Sequence, residues 1–364
     1  MKNILKGLLA FRSEEGNTQA KKEICEYVAS LFENTGFFIE HFENDGIYSV
    51  TISSKNTRKV DYIFSGHLDV VPADEETWKF KEDDTYFYGR GTLDMKGGCA
   101  GMIHTFLTKK EEILTSEKSF LLMFTTDEEL GGARGVEYLV QKEGFEAQMV
   151  YIPDTGAGMD KYLKTGKGFI FGEITITGED GHGCRPWKKP SAVDTFVPFY
   201  NELYSVFPKA HDDESGWKHT SINIGKLEGG LASNQIMSKL VLSVDIRFHP
   251  ENSLEDIRKK LQSVTEKFPN IEFNEKFNFG GFQVDTNAEY VKKYLETIDD
   301  FYDGKIQDER EYGSNDGRFF THLTQNIIMT GPFGHGYHGP NENVSKQELE
   351  NFYQIFSKYI EKLI

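Results

Sequence analysis

Five short stretches carry residue types that could do chemistry. His67 and Asp69 stand two apart in Gly66-His67-Leu68-Asp69. Asp94 lies in the glycine-flanked run Gly89-Arg90-Gly91-Thr92-Leu93-Asp94-Met95-Lys96-Gly97-Gly98. Glu128 and Glu129 are neighbours in Thr125-Thr126-Asp127-Glu128-Glu129. Asp154 follows Val150-Tyr151-Ile152-Pro153, and His338 closes Gly331-Pro332-Phe333-Gly334-His335-Gly336-Tyr337-His338. Imidazoles mixed with carboxylates suit divalent zinc, cobalt or manganese, whereas calcium takes oxygen ligands alone. A catalytic zinc keeps one position open for water and lowers its pKa to about 7. Two ions sharing a carboxylate would lie about 3.5–4 Å apart and could activate one bridging water. In the pair Glu128-Glu129, one carboxylate can serve an ion and the other can carry a proton. Taken singly, each stretch has a plainer reading. His67-x-Asp69 could be a strand that ends in polar residues. Glu128-Glu129 could be a solvated turn, and Asp94 a helix cap. Asp154 could cap a turn, and His338 could be a loop surface residue.

What joins these stretches is their place in the chain. Apolar runs predict strands at Val60–Phe64, Ser119–Thr125, Met149–Ile152 and Ile327–Thr330. Each ends just before one of the polar stretches. In an open α/β sheet the carboxyl ends of the strands form the crevice where ligands bind. Helical spacing predicts helices over Thr18–Phe32, Gly97–Leu107 and Gly135–Gln141. Alternation of strand and helix implies a parallel or mixed α/β sheet covered by helices. The middle of the chain follows a smaller α+β pattern. Phe169–Thr177 and Leu240–Phe248 are expected as strands, Pro190–Val206 and Leu254–Glu266 as helices. We therefore expect a catalytic α/β domain from residues 1–167 and 283–364, with a smaller lid domain, 168–282, inserted between them.

The bulk composition limits the partners. The chain has 364 residues and a net charge of −17, which opposes binding to nucleic acid or anionic membrane. No stretch approaches a membrane span. The three cysteines, Cys25, Cys99 and Cys184, are too sparse for a disulfide framework and fit a reducing compartment. The first residues lack the long apolar core of a signal peptide. A cytoplasmic protein is expected.

Four motifs, GHLDVVP, GRGTLDMKGG, TTDEELGG and GPFGHGYHGPNENV, resemble those of the dizinc peptidases and amidohydrolases. That family includes acetylornithine deacetylase, succinyl-diaminopimelate desuccinylase, bacterial glutamate carboxypeptidase, peptidase T and aminoacylase. The motifs run in family order over most of the chain. The resemblance implies that His67 and Asp154 hold one metal ion, Glu129 and His338 the other, and that Asp94 bridges them. It implies two divalent ions per chain, zinc first, with cobalt or manganese as alternatives. Asp69 would orient His67, and Glu128 would be the general base that later protonates the leaving amine. His335 competes with His338 for one ligand position. The family spacing from Pro332, with Asn341-Glu342 behind, favours His338. Gly181-His182 followed by Arg185-Pro186 resembles the small-domain motif whose histidine polarises the scissile carbonyl across a dimer. The lid would supply the homodimer interface. Asn234, Arg247 and Arg318 resemble substrate-binding residues, although Arg247 could equally form a structural ion pair.

Asp154 departs from the glutamate that the two named deacylases carry in that place. Aspartate is more usual among di- and tripeptidases. The expected function is hydrolysis of an amide bond in a small substrate with a free carboxylate, a short peptide or an N-acyl amino acid. Three alternatives stand beside it: a deacylase specific for acetylornithine or succinyl-diaminopimelate, a two-metal phosphoesterase, and a non-catalytic metal-binding protein. Cys99 is expected as a small core residue, and Cys184 as a thiol that the ligand set does not require.

Overall fold

The computed structural model describes residues 1–364. The chain divides into two compact units. The first comprises Met1–Lys164, Val284–Glu309 and Asn315–Ile364, and the second Thr165–Gln283 with Arg310–Ser314.

The first unit is built on a six-stranded mixed sheet. Its strands are β1 (Phe38–Asn44), β2 (Ile47–Ser53), β3 (Lys59–His67), β4 (Phe120–Thr125), β5 (Glu146–Ile152) and β6 (Ile327–Met329). The spatial order is β1-β2-β4-β3-β5-β6. β1 and β2 form an antiparallel hairpin, and β2 runs antiparallel to β4. The remaining neighbours are parallel. Register therefore brings the carboxyl ends together: His67 lies opposite Thr125, and Met329 opposite Ile152. Every residue of β4 is buried, as expected of strands covered on both faces, which read as continuous apolar runs.

Five helices of this unit matter here: α1 (Thr18–Leu31), α2 (Lys96–Thr108), α3 (Val136–Gln141), α4 (Glu289–Tyr302) and α5 (Lys346–Leu363). Asn17 caps α1 by accepting the Ala20 N–H, and Ser345 caps α5 by accepting that of Glu348. The core forms where aromatic rings of sheet and helices meet. Phe64 of β3 packs against Phe106 of α2 and Phe356 of α5, at centroid distances of 5.5 and 5.2 Å. Tyr151 of β5 meets Phe356 at 4.9 Å and Tyr294 of α4 at 5.4 Å. Gly101 lets α2 approach α5 closely, since a Cβ there would lie 2.3 Å from the Phe352 ring. Edge-on and offset rings add roughly 0.5–1.5 kcal/mol per pair beyond burial. The core thus anchors the strands just behind their polar ends.

The second unit is a four-stranded antiparallel sheet in the order Ser221–Gly229, Lys239–Phe248, Gly168–Thr177, Ile271–Phe279. Lys239–Phe248 alternates buried and half-exposed residues, so one face of the sheet is covered. Ile174, Leu242 and Ile246 on that face form a core with Phe199 of helix Ala192–Val206 and Leu261 of helix Leu254–Thr265. No helix of the chain is long and apolar enough to cross a membrane.

Candidate metal centre

The strand ends place the side chains. His67 is the last residue of β3 and is 1% exposed. Its Nδ1 lies 3.1 Å from the main-chain oxygen of Asp69 and 3.5 Å from the Asp69 carboxylate. A proton on Nδ1 is therefore donated to the carbonyl, which leaves Nε2 facing the carboxylates. That Nε2 is 3.0 Å from Asp94 Oδ1 and 3.6 Å from Asp154 Oδ1. Asp94 stands just before α2, and its peptide bond to Met95 is cis. Its second oxygen, Oδ2, is 3.0 Å from His338 Nε2. His338 Nε2 is in turn 3.3 Å from Glu129 Oε2. His338 sits in a turn with φ of 54°, between glycines, and its side chain is 55% exposed.

Two ligand groups result. His67, Asp94 and Asp154 form one; Asp94, Glu129 and His338 form the other. Within each group the ligand atoms lie within 4.8 Å of one another. Each offers one imidazole and two carboxylates, a donor set for a borderline divalent metal. The buried oxygen Asp154 Oδ1 has no hydrogen-bond partner. A buried carboxylate oxygen left bare is costly, and a cation beside His67 would satisfy it. The residues thus fit an ion at either position.

Electrostatics follow from the crowding of acids. Burial pushes the Asp154 carboxyl up to about 7, with His67 opposing. His338 is raised to about 10 by its hydrogen bonds to Asp94 and Glu129. Burial holds the Glu128 carboxyl well above its ordinary value; Asp316 and Asp154 repel its charge, while His67 and Arg318 favour it. Glu128 opens a short 3-10 turn, Glu128–Leu130, beside Glu129.

The Asp69 carboxylate, 3.5 Å from the imidazole Nδ1, also holds main chain. It accepts the main-chain N–H of Glu128 at 3.3 Å and of Glu129 at 3.1 Å. Asp69 thus joins β3 to the turn carrying both glutamates. His335 is elsewhere: it pairs with the Asn343–Ser345 strand and its ring packs on Phe333 and Tyr86. Arg318 is 5% exposed and donates to the main-chain oxygens of Asn315 and Gly131, at 2.7 and 2.8 Å.

His182, Asn234 and Arg247 belong to the second unit. His182 is exposed, and its Nδ1 accepts the Cys184 N–H at 3.2 Å. Asn234 is exposed, and its carbonyl accepts the Gly183 N–H at 2.7 Å. Arg247 donates through Nε to Asp245 at 2.7 Å and lies over the rings of Phe169 and Phe171. Its Nη1 is buried without a partner. Cys99 is buried in the core, and Cys25, Cys99 and Cys184 are all free thiols.

Sequence reasoning passed over three buried residues around the centre. Glu342 accepts four hydrogen bonds from the loop carrying Asp94. Lys96 is fully buried, donates to the Phe11 oxygen at 3.0 Å, and is lowered by burial to about 8. Asp127 holds the N–H groups of Arg134 and Gly135. Asp127 and Glu342 did stand inside quoted motifs, but no local spacing reveals what a buried carboxylate accepts.

A family model described as peptidase family M20/M25/M40 matches residues 63–362. Among solved structures, a tripeptidase from Staphylococcus aureus is 22% identical, with a TM-score of 0.79 over 99% of this chain and 96% of its own. The aminopeptidase PepT from Bacillus cereus is 20% identical, with a TM-score of 0.76 over 99% and 97%. A metallo-carboxypeptidase from Sulfolobus solfataricus is 16% identical, with a TM-score of 0.74 over 99% and 98%. At these identities the likeness establishes a shared fold.

Proposed function

The chain belongs to peptidase family M20/M25/M40, and from that premise we propose that it hydrolyses the amide bond of a short peptide with a free carboxylate at a two-ion centre. The observation that carries this reading is Asp94, whose two oxygens lie 3.0 Å from His67 and 3.0 Å from His338. A carboxylate so placed serves both ligand groups at once. His67 and Asp154 would hold one ion, Glu129 and His338 the other, with zinc, cobalt or manganese suited to the donors. Such ions, when bound, polarise an amide carbonyl and acidify water.

The chain's own residues supply the proton traffic. Glu128 takes a proton from the attacking water and returns it to the nitrogen as the C–N bond breaks. Its raised pKa supports that assignment, because a returning acid must hold its proton near neutral pH. His182 is assigned to the amide oxygen. With Nδ1 accepting from Cys184, the neutral ring carries its proton on Nε2, where it can donate. By the family resemblance this histidine would come from the other chain of a homodimer. Val193, Val197 and Leu227 are exposed on the second unit, which supports a role for that unit in association. Asn234 and Arg247 are assigned to the substrate by the family resemblance. Arg318 is better assigned to fastening the Gly131 carbonyl than to a substrate carboxylate, given its burial and its two carbonyl partners.

The test is a panel of di- and tripeptides and N-acyl amino acids, incubated with zinc- or cobalt-loaded protein and read by mass spectrometry. We expect cleavage of short peptides, and a loss of roughly 10²–10⁴-fold in kcat for Glu128→Gln. Exclusive cleavage of N-acyl amino acids would favour the deacylase reading. A Glu128→Gln protein as fast as wild type would remove the assigned base.

A further inference from the structure

We propose that Glu342 is a positioning residue that ties the Asp94 loop to the His338 loop, so that both ion positions depend on it. This rests on the two-ion reading above.

Glu342 lies four positions after His338 and is wholly buried. Its carboxylate is fully engaged. Oε1 accepts the main-chain N–H of Leu93 at 2.8 Å and of Asp94 at 3.1 Å. Oε2 accepts the N–H of Gly91 at 2.9 Å and Arg90 Nη1 at 2.6 Å. These four donors match the roughly four acceptor sites of a carboxylate. Three of them are amides of the loop that delivers the shared ligand. A buried N–H must find an acceptor, and Glu342 supplies it from the opposite loop.

The tie runs both ways. The Gly89 N–H donates to the Glu342 main-chain oxygen at 3.0 Å, and Arg90 Nη2 reaches the Gly339 oxygen at 3.3 Å. Gly336 permits the close approach on the His338 side: its φ is 83°, and a Cβ there would lie 3.0 Å from Glu342 Cα. Asp94 belongs to both ligand groups. A shift of its backbone would therefore disturb both positions together, and leave Asp154 and Glu129 in place. That is a signature which loss of His67, Asp154, Glu129 or His338 alone would not give.

Glutamine at this position has one acceptor oxygen. In either orientation it turns its amide hydrogens toward two of the four donors. Wild type, Glu342→Gln and Glu342→Asp would be stripped with chelator and titrated calorimetrically with zinc. We expect Glu342→Gln to bind about 10–100-fold more weakly at both positions, the range found for partners that orient ligands. Glu342→Asp, which keeps the charge, should recover part of that loss. At saturating zinc we expect a lower kcat with KM nearly unchanged. A folded Glu342→Gln protein with wild-type affinity at both positions would overturn the proposal, as would weakening at one position alone. Should the variants fail to fold, hydrogen exchange on metal-free wild type decides. The amides of Gly91, Leu93 and Asp94 are expected to be protected without any ion, and exchange at the rate of an open loop would overturn the clamp. Wild type that takes up no zinc would instead sink the metal centre, while the amide protection still judges the clamp.

Discussion

Asp69 and Glu342 both end on main-chain N–H groups of loops that carry ligands. A buried carboxylate is costly unless several donors reach it, so each such residue fixes the backbone it touches. His67-x-Asp69 was legible as a pair, because alternate residues of extended chain share a side. What Asp69 holds was not, since Glu128 and Glu129 lie 59 and 60 positions away along the chain. Asp127 shows the same limit and yields a prediction. Its Oδ2 accepts the N–H groups of Arg134 and Gly135, while its buried Oδ1 has no partner. Burial, with repulsion from Asp316 and Asp69, pushes its pKa up to about 7. The unfolded chain ionises this group near 3.9. The folded protein therefore binds more protons between those values, and stability falls as pH rises from about 4 to about 7. Asp127→Asn keeps an acceptor and cannot ionise. Urea unfolding of metal-free protein should show its advantage over wild type growing by up to about 3 kcal/mol between pH 5 and pH 8, at 1.36 kcal/mol per unit. An advantage equal at both pH values would contradict this origin.

At the scale of elements, the centre exists because four parallel strands stop at one edge and α2 starts beside them. The four parallel strands were legible because burial on both faces leaves an unbroken apolar run, as in Phe120–Thr125. Two strands at sheet edges were not. Phe38–Asn44 carries Glu40, His41 and Glu43, and Ile271–Phe279 carries Glu272, Glu275 and Lys276. Edge strands need such charges to discourage pairing with other chains, and the same charges hide them from a hydrophobic pattern. The helix boundaries came within two residues where capping and spacing agree, as in Leu254–Thr265, capped by Ser253, against the expected Leu254–Glu266. What no pattern announced was the contact between α2 and α5. Gly101→Ala tests it: the added Cβ would meet the Phe352 ring at 2.3 Å. Overpacking of this kind costs about 1–3 kcal/mol. Thermal unfolding should register the loss, while ion affinity stays at the wild-type value because no ligand loop is touched. An unchanged melting temperature would show that the two helices part without cost.

For the whole molecule, the five candidate ligands drawn from four strand ends and a helix start all fall in the first unit, so the fold and the proposed centre stand or fall together there. The second unit has its own core, and the role proposed for His182 would give it a part in substrate handling. The family was legible in the order of the motifs. The substrate was not, since side chains that meet a substrate need no fixed spacing. The net charge of −17 includes acids that a bound cation would neutralise, which is why ion removal should be felt in activity first. The most direct measurement is the hydrolysis rate of a short peptide as zinc or cobalt is added to metal-free protein, with ions counted per chain. We predict no turnover without ions, a rise with each addition, and a plateau at two ions per chain. Glu128→Gln should take up the same two ions and lose the turnover. Peptide hydrolysis that survives complete chelation, or two bound ions with no amide cleaved, would contradict the account.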